Sequence, residues 1–296
     1  MNQLELLTGI LAREGAEALG WERGRPGGAA ARALLRPAAR RVAREFVATD
    51  GAFASRTLPD AARWTLEHFA ASLEVAGLDR VPRSGPVLLV ANHPGLTDAV
   101  ALLAALDRPD VRIVAADYPF LHAMRGLGRH LIFLGANGAS QLGWIRAVSR
   151  DLRRGGVVLL FPAGRLEPDP AVLGTEGALL PWSASVEVIR RLAPEAQIVP
   201  AAVTGVLSPR AFGHPLTRVR RTARDRQRVA TLVQMISPHY RRVGARIAFG
   251  VPLAASIDST VSAVLAARMR ELIFDPPTDW LPLSGRATDS PKTTAA

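Results

Sequence analysis

A chain of 296 residues, 48% hydrophobic and 21% charged, has enough apolar material for a full core and is not a disordered polymer. It contains no cysteine, which excludes disulfides, thiolate metal sites and cysteine nucleophiles; its only lysine, Lys292, lies in the C-terminal SPKTTAA, so a lysine-based covalent mechanism has no candidate. The net charge of +11 favours an anionic partner, whether phospholipid surface, phosphate-bearing cofactor, acidic carrier protein or nucleic acid, although a compositional bias towards alanine and arginine accounts for it equally well.

The N-terminus, MNQLELLTGILAREGAE, has an acidic Glu5 and no basic start before an apolar stretch, unlike a secretory signal. No apolar run reaches the roughly 18 residues of a spanning helix. These features predict a cytoplasmic protein, peripheral on the inner face of the membrane. Residues 1–58 read as a basic helical segment, broken at Gly24-Arg25-Pro26-Gly27-Gly28. After the break Leu35, Val42 and Phe46 share one helical stripe, and Arg36, Arg40 and Arg44 another. Such a helix either lies on anionic lipid or packs its apolar stripe on its own domain.

A second helix, about Pro59 to Val75, opens the main domain, residues 59–275. Strands are predicted at Val87–Ala91, Val111–Ala115, Leu131–Ala136, Val157–Phe161, Ile198–Val203 and Ala245–Phe249, with helices between most of them. This alternation predicts an α/β fold, a single domain with a largely parallel central sheet flanked by helices. A helix over about Thr260–Phe274 closes it, and residues 276–296, rich in Pro, Ser and Thr, read as a flexible tail.

The informative segment is Pro86-Val-Leu-Leu-Val-Ala-Asn-His-Pro-Gly-Leu-Thr-Asp98, an apolar strand, a Pro-Gly turn and a helix start with Thr97 at the cap. His93 leaves the C-terminal end of the strand, where open α/β sheets place ligands. Asp98 lies in the first helical turn, so the turn can fold the carboxylate against the imidazole and leave the other ring nitrogen free to take a proton. The same spacing also suits a plain turn whose Asp98 only complements the helix dipole.

Asn92-His93-x-x-x-x-Asp98 after an apolar strand resembles the signature of the glycerolipid acyltransferase family, which includes the lysophosphatidate acyltransferases. Two further blocks are similar, in the same order: Gly156-Val-Val-Leu-Leu-Phe-Pro-Ala-Gly-Arg165 to the family's strand ending in Phe-Pro-Glu-Gly, and Ile198-Val-Pro-Ala-Ala-Val-Thr-Gly205 to its later valine-proline strand. Leu131 to Asn137 matches more weakly. The resemblance spans about residues 60 to 210. It implies His93 as general base, Asp98 as its partner, and Asn92, Phe161, Pro162, Gly164 and Arg165 as substrate contacts. The implied activity is transfer of a fatty acyl group from acyl-CoA or acyl-carrier protein to a hydroxyl of a glycerol phosphate or lysophospholipid, with no permanently bound cofactor. The alternatives are a non-phosphate lipid acceptor, or an inactive lipid-binding protein on the same scaffold.

Three departures bear on the acceptor. Ala163 stands where the family usually has glutamate, Arg165 where threonine is common, and no arginine follows the Leu131 strand at the expected place. Arg165 offers a bidentate fork for phosphate, or it is a surface arginine paired with Glu167. The sequence contains no H-E-x-x-H zinc spacing, no G-x-S-x-G elbow, no G-x-x-x-x-G-K-S/T loop and no G-x-G-x-x-G fingerprint. Arg220, Arg224 and Arg228, four apart, are predicted to line one helical face that suits phosphate-rich surfaces or an acidic carrier. Only two tyrosines occur and no aromatics interleave these arginines, so nucleic acid is not the expected partner.

Overall fold

In the computed structural model the apolar runs assemble into one eight-stranded sheet with helices on both faces. The structure describes residues 2–21, 24, 26–135, 138–253 and 260–283, those of 138–142 by backbone alone. Helices α1 (Gln3–Ala18), α2 (Gly28–Ser55) and α3 (Leu58–Phe69) lead into β1 (Ser72–Ala76) and β2 (Val87–Ala91). Then follow α4 (Asp98–Leu106), β3 (Val111–Ala115), the short α5 (Pro119–Ala123) and α6 (Arg125–Gly128), β4 (Leu131–Phe133), α7 (Gly138–Arg153) and β5 (Val157–Leu160). The chain continues through α8 (Pro170–Leu173), α9 (Ser185–Leu192), β6 (Gln197–Thr204), α10 (Pro209–Phe212), α11 (Ala223–Ile236), β7 (Gly244–Phe249), α12 (Val261–Phe274) and β8 (Leu281–Pro282).

The strand order is β4-β3-β5-β2-β6-β7-β1-β8. The first five run parallel; β7 is antiparallel to β6, β1 parallel to β7, and β8 antiparallel to β1. The largely parallel sheet expected from the alternation is therefore present. Successive strand residues face opposite sides. On β2, Val87, Leu89 and Ala91 join one core with α3 and α4, while Leu88 and Val90 join another with α7, α9 and Leu265 of α12. Because β2 to β6 share one direction, the loops after their C-terminal ends gather along one edge of the sheet.

Three local expectations change. The helix expected to run to Val75 stops at Phe69, because Ser72–Ala76 pairs in parallel with Gly244–Ala248 and buries Leu73 and Val75. The pairing gain outweighs a helical pattern that propensity alone favours. β4 ends at Phe133; the residues expected to extend it to Ala136 include positions outside those described. In the segment read as a tail, Leu281–Pro282 adds an antiparallel strand to β1, and Arg246 stacks over Trp280 at 5.4 Å, whereas residues 284–296 lie outside those described.

The basic N-terminal segment packs on the rest of the chain. Val42 and Phe46 of the apolar stripe are buried against α1 and the segment around Met124, while Arg36 and Arg40 both reach Glu5, at 2.7 and 3.4 Å. Of the two fates open to that stripe, packing on its own domain is the one observed. Buried Asp50 in α2 accepts the N–H groups of Gly126 (2.7 Å) and Leu127 (3.0 Å) and the Gln3 amide (2.7 Å), tying α1 and α2 to α6. Gly126 is required there, since a Cβ would lie 2.2 Å from the Asp50 carbonyl oxygen.

Candidate active site

The strand-to-turn junction after β2 begins with Asn92, which is fully buried. Its side-chain amide donates to the Val203 carbonyl (2.9 Å) and accepts the Val203 N–H (2.7 Å). Asn92, expected as a substrate contact, thus ties β2 to β6 with both of its side-chain polar atoms engaged by Val203.

His93 follows, with its side chain 29% exposed. Nδ1 lies 2.7 Å from Oδ2 of fully buried Asp98. The carboxylate is fixed independently of the ring, because Oδ2 also accepts the Gly95 N–H (3.0 Å) and Oδ1 the Ala99 N–H (2.6 Å). Asp98 therefore satisfies the head of α4, and Thr97, expected to cap it, makes no capping bond with its side chain. Gly95 allows the turn to close, since a Cβ would come within 2.9 Å of Val206. Burial pushes the His93 pKa down, but the charge and hydrogen bond of Asp98 and the charge of Glu167 push it up, leaving the imidazole more basic than usual. With Nδ1 turned to Asp98, Nε2 has no partner among the described residues.

The loop after β5 brings the second block alongside. The Phe161 ring stacks on the His93 ring, centroids 4.5 Å apart. Pro162 is buried and its carbonyl accepts the Ser183 N–H (3.0 Å). Gly164, at φ +64°, closes a turn by donating its N–H to the Phe161 carbonyl (3.0 Å), a conformation that favours glycine. Arg165 is exposed at the rim with no ion-pair partner among the described residues. The surface pair with Glu167 does not form, because Glu167 is fully buried and faces the His93 backbone at 3.0 Å. His93, Asp98 and Phe161 are thus brought together, with Gly164 and Arg165 in the adjoining turn and Pro162 beneath.

Three site-building residues went unrecognised in the sequence. Glu167 holds the His93 N–H, fully buried Asp169 accepts the N–H groups of Ala171, Gly205 and Leu207 (2.8–3.0 Å), and Gln227 of α11 donates to the carbonyls of Pro94 (2.7 Å) and Glu167 (2.8 Å). The Glu-Pro-Asp-Pro spacing of 167–170 was the only signal, and it suggests a turn rather than a brace.

The arginine row also changes. α11 starts at Ala223, capped by Thr222, so Arg220 precedes the helix and shares no face with Arg224 and Arg228. Among the described residues no group of acidic, histidine or cysteine side chains could hold a metal ion.

An apolar groove of about 160 Å³ lies between α1, α2 and α11, lined by Leu11, Leu35, Val42, Leu96, Leu232 and Met235 among others. Leu96, three residues beyond His93, joins it to the turn after β2. Glu14 also lines it, its pKa raised to about 7 chiefly by burial, with Arg13 opposing and Glu17 adding to the rise.

A family model described as Acyltransferase matches residues 72–204, from the first residue of β1 to the last of β6. The crystal structure of the 1-acyl-sn-glycerophosphate (LPA) acyltransferase PlsC from Thermotoga maritima is similar over 77% of this chain and 86% of that one, with a TM-score of 0.49 and 15% identity. No curated protein matches the chain by sequence.

Proposed function

We infer that this chain, an O-acyltransferase whose residues 72–204 place it in the acyltransferase family, moves a fatty acyl group from acyl-CoA or acyl-carrier protein to a hydroxyl of a glycerol phosphate or lysophospholipid. The observation that carries the reading is the His93 imidazole, held at Nδ1 by a buried carboxylate and without a partner at Nε2 among the described residues. Nε2 takes the proton of the acceptor hydroxyl as its oxygen attacks the thioester carbonyl. The attack forms the C–O bond and a tetrahedral intermediate; as this collapses the carbonyl re-forms, the C–S bond breaks, and the departing thiolate takes the proton back from the imidazolium. Asp98 orients the ring and stabilises its charged form. A thioester is already activated, so this chemistry needs no acyl-enzyme. The groove reaching Leu96 supports the reading, because its apolar walls suit an alkyl chain.

Purified protein incubated with labelled acyl-CoA or acyl-carrier protein and a panel of acceptors provides the test: esterified lysophospholipid is expected, and an unchanged panel rejects the reading. Arg165 is assigned the acceptor's anionic group, supported by its exposed guanidinium beside Gly164, which has no ion-pair partner among the described residues. Arg165→Ala is expected to raise the acceptor KM by about 10- to 100-fold, the equivalent of a charged contact of about 1.5–3 kcal/mol, with kcat little changed. Comparing a phosphate-bearing with a neutral acceptor checks this, because equal losses on both would move the contact to the donor.

The site works on a lipid, and we assign the protein a peripheral place on an anionic membrane surface, on its inner, cytoplasmic face. No helix of the described residues is long and apolar enough to cross a membrane. Leu216 and Val219 are exposed beside Arg218 and Arg221 in the chain, Trp21 is exposed after α1, and Arg220 lies 3.2 Å from the Cβ position of Gly20, so the α1–α2 turn and the 215–221 segment adjoin. Apolar side chains among arginines suit the headgroup boundary of anionic lipid. Flotation with anionic liposomes is expected to succeed at low salt and weaken as salt rises; equal flotation with neutral liposomes would refute the assignment.

A further inference from the structure

Glu167 is a fully buried carboxylate that no step of the transfer uses. It lies 74 residues from His93 in sequence and meets it twice: its backbone N–H donates to the His93 carbonyl (2.8 Å), and its Oε2 accepts the His93 N–H (3.0 Å). The other oxygen is anchored on the Leu180 N–H (2.9 Å) and the Trp182 indole N–H (3.2 Å). Gln227 then ties the Glu167 and Pro94 carbonyls together from α11. All three groups facing the carboxylate are donors, which favour the ionised form because a carboxylic acid or amide would turn a donor towards a donor, while burial pushes the Glu167 pKa up against them. Burying a charge is costly, and the backbone pair alone would hold the two loops together, so neither explains why this side chain is a glutamate.

We propose that Glu167 is a positioning residue for the general base: it clamps the His93 backbone so that the ring meets Asp98 at Nδ1 and presents Nε2 to the acceptor hydroxyl. The inference rests on the reading of His93 as the base. The charged groups facing the ring are Asp98 from the head of α4 and Glu167 from the loop after β5; α11 contributes neutral Gln227 to the same loops, and Phe161 covers one ring face. Both carboxylates favour the protonated imidazole, so removing the charge of Glu167 lowers the His93 pKa while removing only its reach does not.

Two variants separate charge from reach. Glu167→Gln keeps the size and loses the charge; Glu167→Asp keeps the charge and is too short to span from His93 to Trp182. Glu167→Gln is expected to lower kcat by about tenfold or more, part of the roughly 10² to 10⁴-fold that a positioned base contributes, and to move the acid limb of the kcat profile to lower pH. In NMR titration its His93 pKa falls, with the other histidines unmoved. Glu167→Asp is expected to lower kcat with the acid limb kept in place. A merely structural glutamate would lower stability and leave the limb of both variants unchanged, which overturns the proposal, as does wild-type kcat in a folded Glu167→Gln. Should that variant fail to fold by circular dichroism, Glu167→Asp decides, and wild-type kcat or loss of fold in it also overturns the proposal. The NMR titration needs no substrate. A wild type without acyl transfer would therefore remove the functional reading, while a lowered His93 pKa in Glu167→Gln would still support the clamp.

Discussion

His93→Ala is expected to lower kcat by about 10² to 10⁴-fold, the usual contribution of a positioned base, with the fold retained. The ring is partly exposed and stands at a loop, so its removal opens no sealed cavity; Phe161 loses a stacking partner. Asp98→Asn is expected to lose at least about 10²-fold, because an amide neither stabilises the imidazolium nor accepts from Gly95 and Ala99 while holding Nδ1–H. Steady-state kinetics with a matched circular-dichroism check tests both, and near-wild-type turnover in either would remove the pair from the mechanism. The pH dependence follows from the raised His93 pKa. A base must be neutral, so activity rises with pH through a value above the ordinary 6.5, and Asp98→Asn, lacking the charge that supports protonation, should shift that limb downward. Stability runs the other way. The contribution of protonated His93 is complete below its unfolded pKa and is lost as pH rises through the folded one, so the enzyme gains activity over the window in which this contribution fades.

Asp169→Ala is expected to destabilise the fold by about 3 kcal/mol or more, since it leaves the N–H groups of Ala171, Gly205 and Leu207 without an acceptor at a fully buried position. The loop after β5 would lose its attachment to the end of β6, so activity should fall with stability. Asp169→Asn keeps one acceptor oxygen and should cost less. Burial raises the Asp169 pKa, against the N–H bonds that lower it. A carboxyl whose folded pKa lies above its unfolded 3.8 makes the native state bind more protons in that window, so its contribution falls as pH rises through it, and Asp169→Asn should abolish that slope. Urea unfolding at several pH values measures all three effects, and an Asp169→Ala protein of wild-type stability would contradict the bracing role.

Whatever depends on neighbours in the chain was legible from the order of residues. Apolar runs of the right length marked β2, β3, β5, β6 and β7 to within a residue or so, and their alternation with helices implied the mostly parallel sheet. The approach of Asp98 to His93 was also legible, because a turn of a few residues at a strand-to-helix junction leaves the chain little choice. Tertiary structure decided the rest. Whether 72–76 is helix or strand depends on β7, more than 160 residues away; Asn92 answers to Val203, Asp169 to Gly205 and Leu207, and Glu167 to His93. The same holds for the apolar stripe of α2, which offered lipid and protein equally until Val42 and Phe46 packed on α1 and the segment around Met124, and for Arg165, without an ion-pair partner among the described residues once Glu167 turned inward. Periodicity reports which face of an element is apolar. It carries no information about which distant N–H or carbonyl must be satisfied once water is excluded, and that requirement chose the partners that build this site.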